Sequence, residues 1–270
     1  MRELGIELHR IRKRAGYPGG DVGALMNWNA STVSRLENGL CKVPDRKLAL
    51  YLARAKSTPV ELDELVSLAR RPDDGYQVRP HPAGFPDSLP IITMLDHDSS
   101  SITSYDPVEV PRHLQVEPYI RDALRRHGYD DQALDTAVKT RLALHPSSLR
   151  QPGSFTFYLS ETALHSTSVP PTVTHEQLAH LTIASTLPHC HIHLVPADAD
   201  LTDIRTGFTF YRHEEHRPVL HHQQPTTSLF LENETDITFY EGHLEKIAAA
   251  ALSRSETRDR LSTHLTEVRP

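Results

Sequence analysis

The stretch that most constrains this chain runs from Gly16 to Gly39, GYPGGDVGALMNWNASTVSRLENG. Its apolar residues fall at helical spacing in two short segments: Val22, Leu25 and Met26 share one face, Val33 and Leu36 another. Asn27, between them, is a residue type that tolerates the left-handed turn conformation. Asn29 has the side-chain chemistry to cap the second segment, accepting the backbone N–H of Thr32 or a neighbour. Asn38-Gly39 closes it, because glycine just past a helix end takes a positive φ at low cost. The spacing predicts helix, tight turn, helix, the unit that lays its second helix in the major groove of DNA.

The flanking residues extend this to five helices. Residues 3–15 place Leu4, Leu8, Ile11 and Ala15 on one face, with Arg10, Lys13 and Arg14 on wetter sides. A fourth helix is expected from Asp45 to Ala55, with Leu48 and Leu52 inward. Thr58-Pro59-Val60-Glu61 is a capping-box pattern with proline in the first turn, and Leu62, Leu65 and Leu68 close the core.

The run Ser31-Thr32-Val33-Ser34-Arg35-Leu36-Glu37-Asn38-Gly39 resembles the signature S-x-x-S-R-x-E-x-G of the Xre family of phage-repressor-like regulators. Leu4-Gly5 and Leu8-x-x-Ile11-Arg12 match that family's opening helix, and the resemblance ends near Arg71. It implies a partly buried ion pair between Arg12 and Glu37, which makes physical sense, since a charge at a helix junction is costly unless paired. It also implies Ala30, Ser31 and Arg35 as base-reading positions, Ala30 through a methyl contact and Arg35 through a bidentate contact to guanine. The DNA-contacting set expected here is Gly19, Ala30, Ser31, Thr32, Ser34, Arg35, Asn38 and Lys42. A plainer reading of Ser31 and Thr32 is that they are small, solvated helix residues. The second helix opens Pro18-Gly19-Gly20-Asp21, where the family has Ser or Thr followed by Gln. A phosphate would there meet backbone N–H groups alone, with Asp21 working against it.

Charge divides the chain in the same place. Residues 1–71 hold 13 Lys/Arg against 8 Asp/Glu, a balance of +5; the remainder holds 16 against 27, a balance of −11, and the whole is −6. A basic head on an acidic body fits a DNA-reading module joined to a part that does not touch DNA. The 270 residues suffice for two domains. No apolar run is long enough to span a bilayer and the first residues carry no signal-peptide core, so the chain reads as cytoplasmic, with no membrane partner. Cys41 and Cys190 form no C-x-x-C pair or disulfide framework.

Pro72, Pro80, Pro82, Pro86 and Pro90, with Gly75 and Gly84, exclude helix and central strand. The expected organisation is a helix-turn-helix head at 1–71, a Pro-rich linker at 72–91 and a second domain at 92–270. In the last, helices are expected near 92–104, 117–127, 130–145, 174–186 (with Thr174 as cap) and 235–252, and after Ser255. Strands are expected at 155–159, 191–195, 207–211 and 228–232. The fold class is an all-α five-helix head joined to an α+β domain, an antiparallel sheet with packed helices.

This second half has its own resemblance. Val110-Pro111-x-x-Leu114-Gln115 and Tyr119 are similar to the V-P-G-L-L-Q-T-x-x-Y element of the C-terminal domain that follows Xre-type heads in many actinobacterial regulators. Glu161-x-Ala163-Leu164, Gln177-Leu178-x-x-Leu181, Val195-Pro196, Gly207-Phe208 and Ala251-Leu252-Ser253 match further along, in order, over about 170 residues. Arg112-His113 replaces the usual Gly-Leu, and Leu144-His145 stands where Arg-Gln is common. The resemblance implies an antitoxin-like regulator paired with a small partner protein.

Histidine is abundant: 18 in all, 17 of them beyond residue 71. His189, His191 and His193 alternate, so on a strand they share one face, where three imidazoles could bind zinc or nickel. The reading adopted is that Cys190, Ile192 and Leu194 face the core and the histidines face solvent, since no carboxylate or further cysteine lies at ligand spacing. His213-Glu214-Glu215-His216 is not the H-E-x-x-H pattern, and with His221-His222 it could form a surface cluster charging near pH 6. There is no phosphate-binding glycine loop and no G-x-S-x-G elbow, so no enzyme, metal or cofactor is expected.

The function expected is sequence-specific transcriptional regulation. Double-stranded DNA is the partner, and the second domain serves for homodimerisation, ligand sensing or partner binding. The alternatives are an antitoxin-like module that chiefly holds a small protein partner, and a metal-dependent sensor or enzyme using the histidines.

Overall fold

The computed structural model describes residues 2–71, 75–81, 89–150, 154–165 and 168–268. The chain divides into two compact units, Met1–Asp74 and Gly75–Pro270.

The first unit is five helices: α1 (Arg2–Arg14), α2 (Gly19–Met26), α3 (Ala30–Glu37), α4 (Asp45–Arg54) and α5 (Pro59–Ala69). Each contributes one apolar face to a shared core containing Leu4, Leu8, Ile11, Val22, Val33, Leu36, Leu48, Tyr51, Leu52 and Leu65. Leu25, expected inward, is 43% exposed. It sits one position round the helix from the buried pair Val22 and Met26 and falls outside the stripe. The capping box of α5 forms with both reciprocal hydrogen bonds between Thr58 and Glu61.

The second unit is an α+β domain on a seven-stranded sheet of order β1-β7-β6-β5-β2-β3-β4. The strands are β1 (Tyr76–Pro80), β2 (Ser101–Asp106), β3 (Ser154–Ser160), β4 (Cys190–Val195), β5 (Phe208–Arg212), β6 (Val219–Gln223) and β7 (Thr227–Leu231). The sheet is mixed rather than wholly antiparallel. β2, β3 and β4 run parallel, joined by helical crossovers, and the remaining pairs are antiparallel. The helices are α6 (Pro90–Asp98), α7 (Glu117–Arg126), α8 (Asp131–Arg150), α9 (Glu161–Leu164), α10 (Pro171–Ala184), α11 (Glu234–Ala250) and α12 (Arg254–Glu267). α11 covers one sheet face, where Ile237 and Ile247 meet Phe208, Phe210, Leu220 and Leu231. α10 and α12 pack on each other and on β4.

Several expectations change here. Within 72–91, residues 76–80 form strand β1; it lies at the sheet edge, the place where Pro80 deprives no neighbour of a ladder hydrogen bond. Most of the other residues of that expected linker lie outside the described set. The helix expected over 92–104 ends at Asp98, and β2 follows within three residues. Thr174 is interior to α10, its hydroxyl donating to the Pro170 carbonyl; the helix begins at Pro171. α12 is capped by Ser253, two residues before the expected position. β6 had no counterpart in the sequence reading.

Candidate nucleic-acid interface

The turn between α2 and α3 is built as its residue types require. Asn27 adopts φ 54°, and Trp28 donates its backbone N–H to the Gly23 carbonyl at 2.8 Å. Asn29 Oδ1 accepts from the Thr32 backbone N–H at 2.8 Å, from Ser31 Oγ at 2.9 Å and from Thr32 Oγ1 at 2.5 Å. One cap side chain thus orders the first turn of α3 and both of its hydroxyls. Beyond α3, Gly39 takes φ +68°.

α3 is two-faced. Val33, Leu36 and Glu37 are buried, whereas Ser31, Ser34, Arg35 and Asn38 are exposed. The exposed four are spaced i, i+3, i+4, i+7, so they form one outward stripe. Ala30 is exposed at its head and Thr32 is half-buried. Ser34 Oγ accepts from Asn38 Nδ2 at 3.4 Å. Arg35 has no hydrogen-bond or ion-pair partner among the described residues, so its guanidinium is available to a ligand. Lys42 is exposed in the following loop, and Arg46 and Lys47, two exposed cations in the first turn of α4, were not singled out by the sequence reading. Gly19 opens α2 behind Pro18, which supplies no side-chain cap, so that N-terminus keeps backbone donors for an anion.

The orientation of α3 is fixed by a buried polar cluster. Arg12 donates Nε to Glu37 Oε1 and Nη2 to Oε2, both at 2.6 Å, and Nη1 to the Tyr17 carbonyl at 2.6 Å. Tyr51 donates its hydroxyl to Glu37 Oε1 at 2.5 Å, and His9 Nδ1 lies 2.9 Å from Oε2. Burial pushes the Glu37 carboxyl up, but the hydrogen bonds from Arg12 and Tyr51 and the Arg12 charge pull it below the usual carboxylate range. The Tyr51 phenol is driven well above its usual value, by burial first and by its bond to Glu37 second. α1, α3 and α4 are therefore tied through one carboxylate. Tyr51 and His9 were missed by the sequence reading. The signal for Tyr51 was present, since it is i+3 from Leu48 and adjacent to Leu52 on the inward side of α4.

Not every head cation is free for DNA. Arg14 forks onto Glu61 at 2.6 and 2.7 Å, and Arg10 reaches Glu7 and Glu61.

Several histidines of the second unit are structural. Cys190, Ile192 and Leu194 are buried in β4, while His191 and His193 lie half-buried on its other face. His193 donates Nδ1 to the Leu252 carbonyl at 2.9 Å and stacks on Tyr158. His221 and His222, expected at the surface, are buried within β6: His221 bonds Ser228 Oγ at 2.9 Å and stacks on Phe230, and His222 donates to the Gly207 carbonyl at 2.9 Å. Their side chains lie on opposite faces of a central strand covered on both sides. His213 and His216 stay half-buried with rings 4.7 Å apart. Among the described residues, no group of three His, Cys, Asp or Glu is placed to hold a metal, and no helix is long and apolar enough to cross a membrane.

The comparisons with known proteins bear on both units. Residues 3–65 match a helix-turn-helix domain, and residues 89–263 match a domain of unknown function, DUF5753. No curated protein matches the chain. Among solved structures there is a distant likeness to TrmBL2, an archaeal chromatin protein described as showing a novel mode of DNA binding. The identity is 8%, the TM-score 0.31, and the match covers 74% of this chain and only 63% of that one, too remote to carry an argument. With more than half its length matched by residues 89–263, and a helix-turn-helix domain ahead of them, the chain belongs to the DUF5753 family.

Proposed function

We propose that this protein is a sequence-specific DNA-binding transcriptional regulator of the Xre type, and not an enzyme. The outward stripe of α3 reads base edges in the major groove. The second unit acts in the cytoplasm in dimerisation, ligand sensing or contact with a small protein partner. The observation that carries the reading is the two-faced α3: one stripe held in the core through Glu37, the other offering Ser31, Ser34, Arg35 and Asn38 to the outside. A helix pinned on one side and polar on the other is what direct readout requires. Lys42 and the α2 N-terminus at Gly19 are suited to the flanking phosphates, which position the helix without specifying sequence. A single head of this size would bury only about 600–1,000 Å² on DNA, which favours two heads on half-sites about 34 Å apart.

The test is fluorescence anisotropy with DNA from upstream of the protein's own gene, at two salt concentrations, for wild type and Arg35→Ala. Arg35→Ala is expected to cost about 1–3 kcal/mol in specific binding, with an unchanged melting temperature. Weak, salt-labile binding that is indifferent to Arg35 would reject the reading.

A further inference from the structure

A cavity of about 280 Å³ lies in the second unit, beyond the carboxyl end of β2. β2 is the strand at which the sheet changes character, parallel to β3 on one side and antiparallel to β5 on the other. Chain connections diverge at such a point and leave a crevice at the strand ends, the usual position for ligands in sheets with helical crossovers.

The sheet contributes an unusual floor. Ser104 of β2 is paired with Thr209 of β5, and Thr209 with His221 of β6. Directly opposed residues share a face, so three polar side chains form a row across three central strands, and all three line the cavity. The row continues into Phe157 on one side and Phe230 on the other, so the polarity is confined to the cavity. Ser104 is 4% exposed and its hydroxyl has no hydrogen-bond partner among the described residues. A buried hydroxyl left so keeps its desolvation penalty, which a ligand oxygen in the cavity would offset.

The walls carry arginines. Arg112, Arg141 and Arg205 line the cavity against the carboxylates of Asp106 and Glu109. Arg141 is buried and donates to Gln115 Oε1 at 2.9 Å, itself a wall residue. Arg112 is locked in place: its Nη2 donates to both oxygens of buried Asp96 at 2.5 Å and to the Tyr211 hydroxyl at 2.9 Å. Asp106 spends Oδ1 on the backbone N–H groups of Val108 and Glu109, and Glu109 faces Arg126 at 3.4 Å. Arg205 is exposed at the rim and, among the described residues, only its Nε is engaged, by the Thr202 carbonyl, so its terminal nitrogens remain for a ligand.

The geometry points to a binding site for a small hydroxylated acid, a metabolite whose carboxylate or phosphate meets Arg205 and Arg141 while its hydroxyl reaches the Ser104–Thr209–His221 row. The volume of about 280 Å³ lies just below the roughly 300–1,000 Å³ typical of ligand pockets, which sets the ligand below drug size. This names a ligand class for the sensing role proposed above and rests on that reading only for any effect on DNA.

Three probes on one carbon skeleton separate the chemistries: glycerol, glycerate and glycerol 3-phosphate, titrated calorimetrically into the full chain without DNA. At least one of the two anions is expected to bind saturably and glycerol not to bind; which anion wins identifies the head group. Arg205→Gln is expected to weaken that binding at least about tenfold without moving the ligand-free melting temperature, since a charge-assisted contact at the rim is lost. Ser104→Ala removes an unsatisfied hydroxyl and is expected to weaken binding while leaving the ligand-free fold at least as stable as before. Binding by neither anion, or anion binding unaffected by both substitutions, overturns the site. Because no DNA is present, failure here leaves the DNA reading standing, and failure of DNA binding leaves this result intact.

Discussion

Glu37 is the residue on which the head depends most. Replacing it with alanine leaves the Arg12 guanidinium buried without its carboxylate, and this is expected to cost about 3–5 kcal/mol in stability. Tyr51→Phe leaves the Arg12 fork intact and removes one buried donor to the charged carboxylate, so about 1.5–3 kcal/mol is expected. Denaturant melts of the two variants check the ranking. The pH dependence has a definite sign. Glu37 titrates below the usual range in the folded head, so its stabilisation is present above the ordinary carboxylate value of about 4.3 and is lost as pH falls through the lower folded value. Thermal melts from pH 7 downward should steepen below about 4.3 in wild type and lose that component in Glu37→Gln. The Arg12–Glu37 pairing was readable only through a family signature. The phenol that completes it was legible as an inward residue of α4 but not as a hydrogen-bond donor, because a tyrosine at such a position looks like any other apolar residue.

At the scale of elements, the closest approach in the head is between α1 and the end of α3. A Cβ on Gly5 would lie 2.4 Å from the Glu37 carbonyl oxygen and 2.7 Å from the Gly39 nitrogen. Both are backbone atoms, so Gly5→Ala is expected to separate the helices and destabilise the head by about 1–3 kcal/mol or more, despite alanine's better helix propensity. A denaturation midpoint equal to wild type would contradict this. The helices of the head were legible because caps and periodicity agree: Asn29, the Thr58–Glu61 box and Gly39 each punctuate an amphipathic run. The sheet was less so. β2 continues the apolar spacing of α6, Ile92 and Leu95 leading on to Ile102 and Tyr105, so the helical period ran past the true boundary. β6 carries two buried histidines in five residues, and such a strand shows neither alternation nor an apolar run. The cavity floor was invisible for the same reason, since Ser104, Thr209 and His221 come together only through register.

For the whole molecule, the apolar clusters described in the two units share no residue. The cluster of the head is drawn from residues 4–69, and the sheet and α7–α8 clusters from residues beyond 104. Calorimetry is therefore expected to resolve two transitions, with Glu37→Ala lowering only one. Asp96→Ala should lower only the other, because it strips the partner from Arg112 and His113 around a buried carboxylate whose value lies at about 2. A single transition shifted by both substitutions would contradict independent unfolding of the two units. The charge division, +5 in the first 71 residues and −11 in the rest, follows the same boundary and sets the polarity of any approach to a duplex.

The chain contains one tryptophan, and it belongs to the head. Trp28 is half-buried in the turn before α3 and stacks on Tyr51 with ring centroids 6.2 Å apart, next to the Glu37 carboxylate that holds the helix in place. Light absorbed by indole alone is therefore emitted only from the element proposed to touch DNA. The intact, unlabelled protein carries its own optical reporter for that surface, and all nine tyrosines stay silent under such excitation.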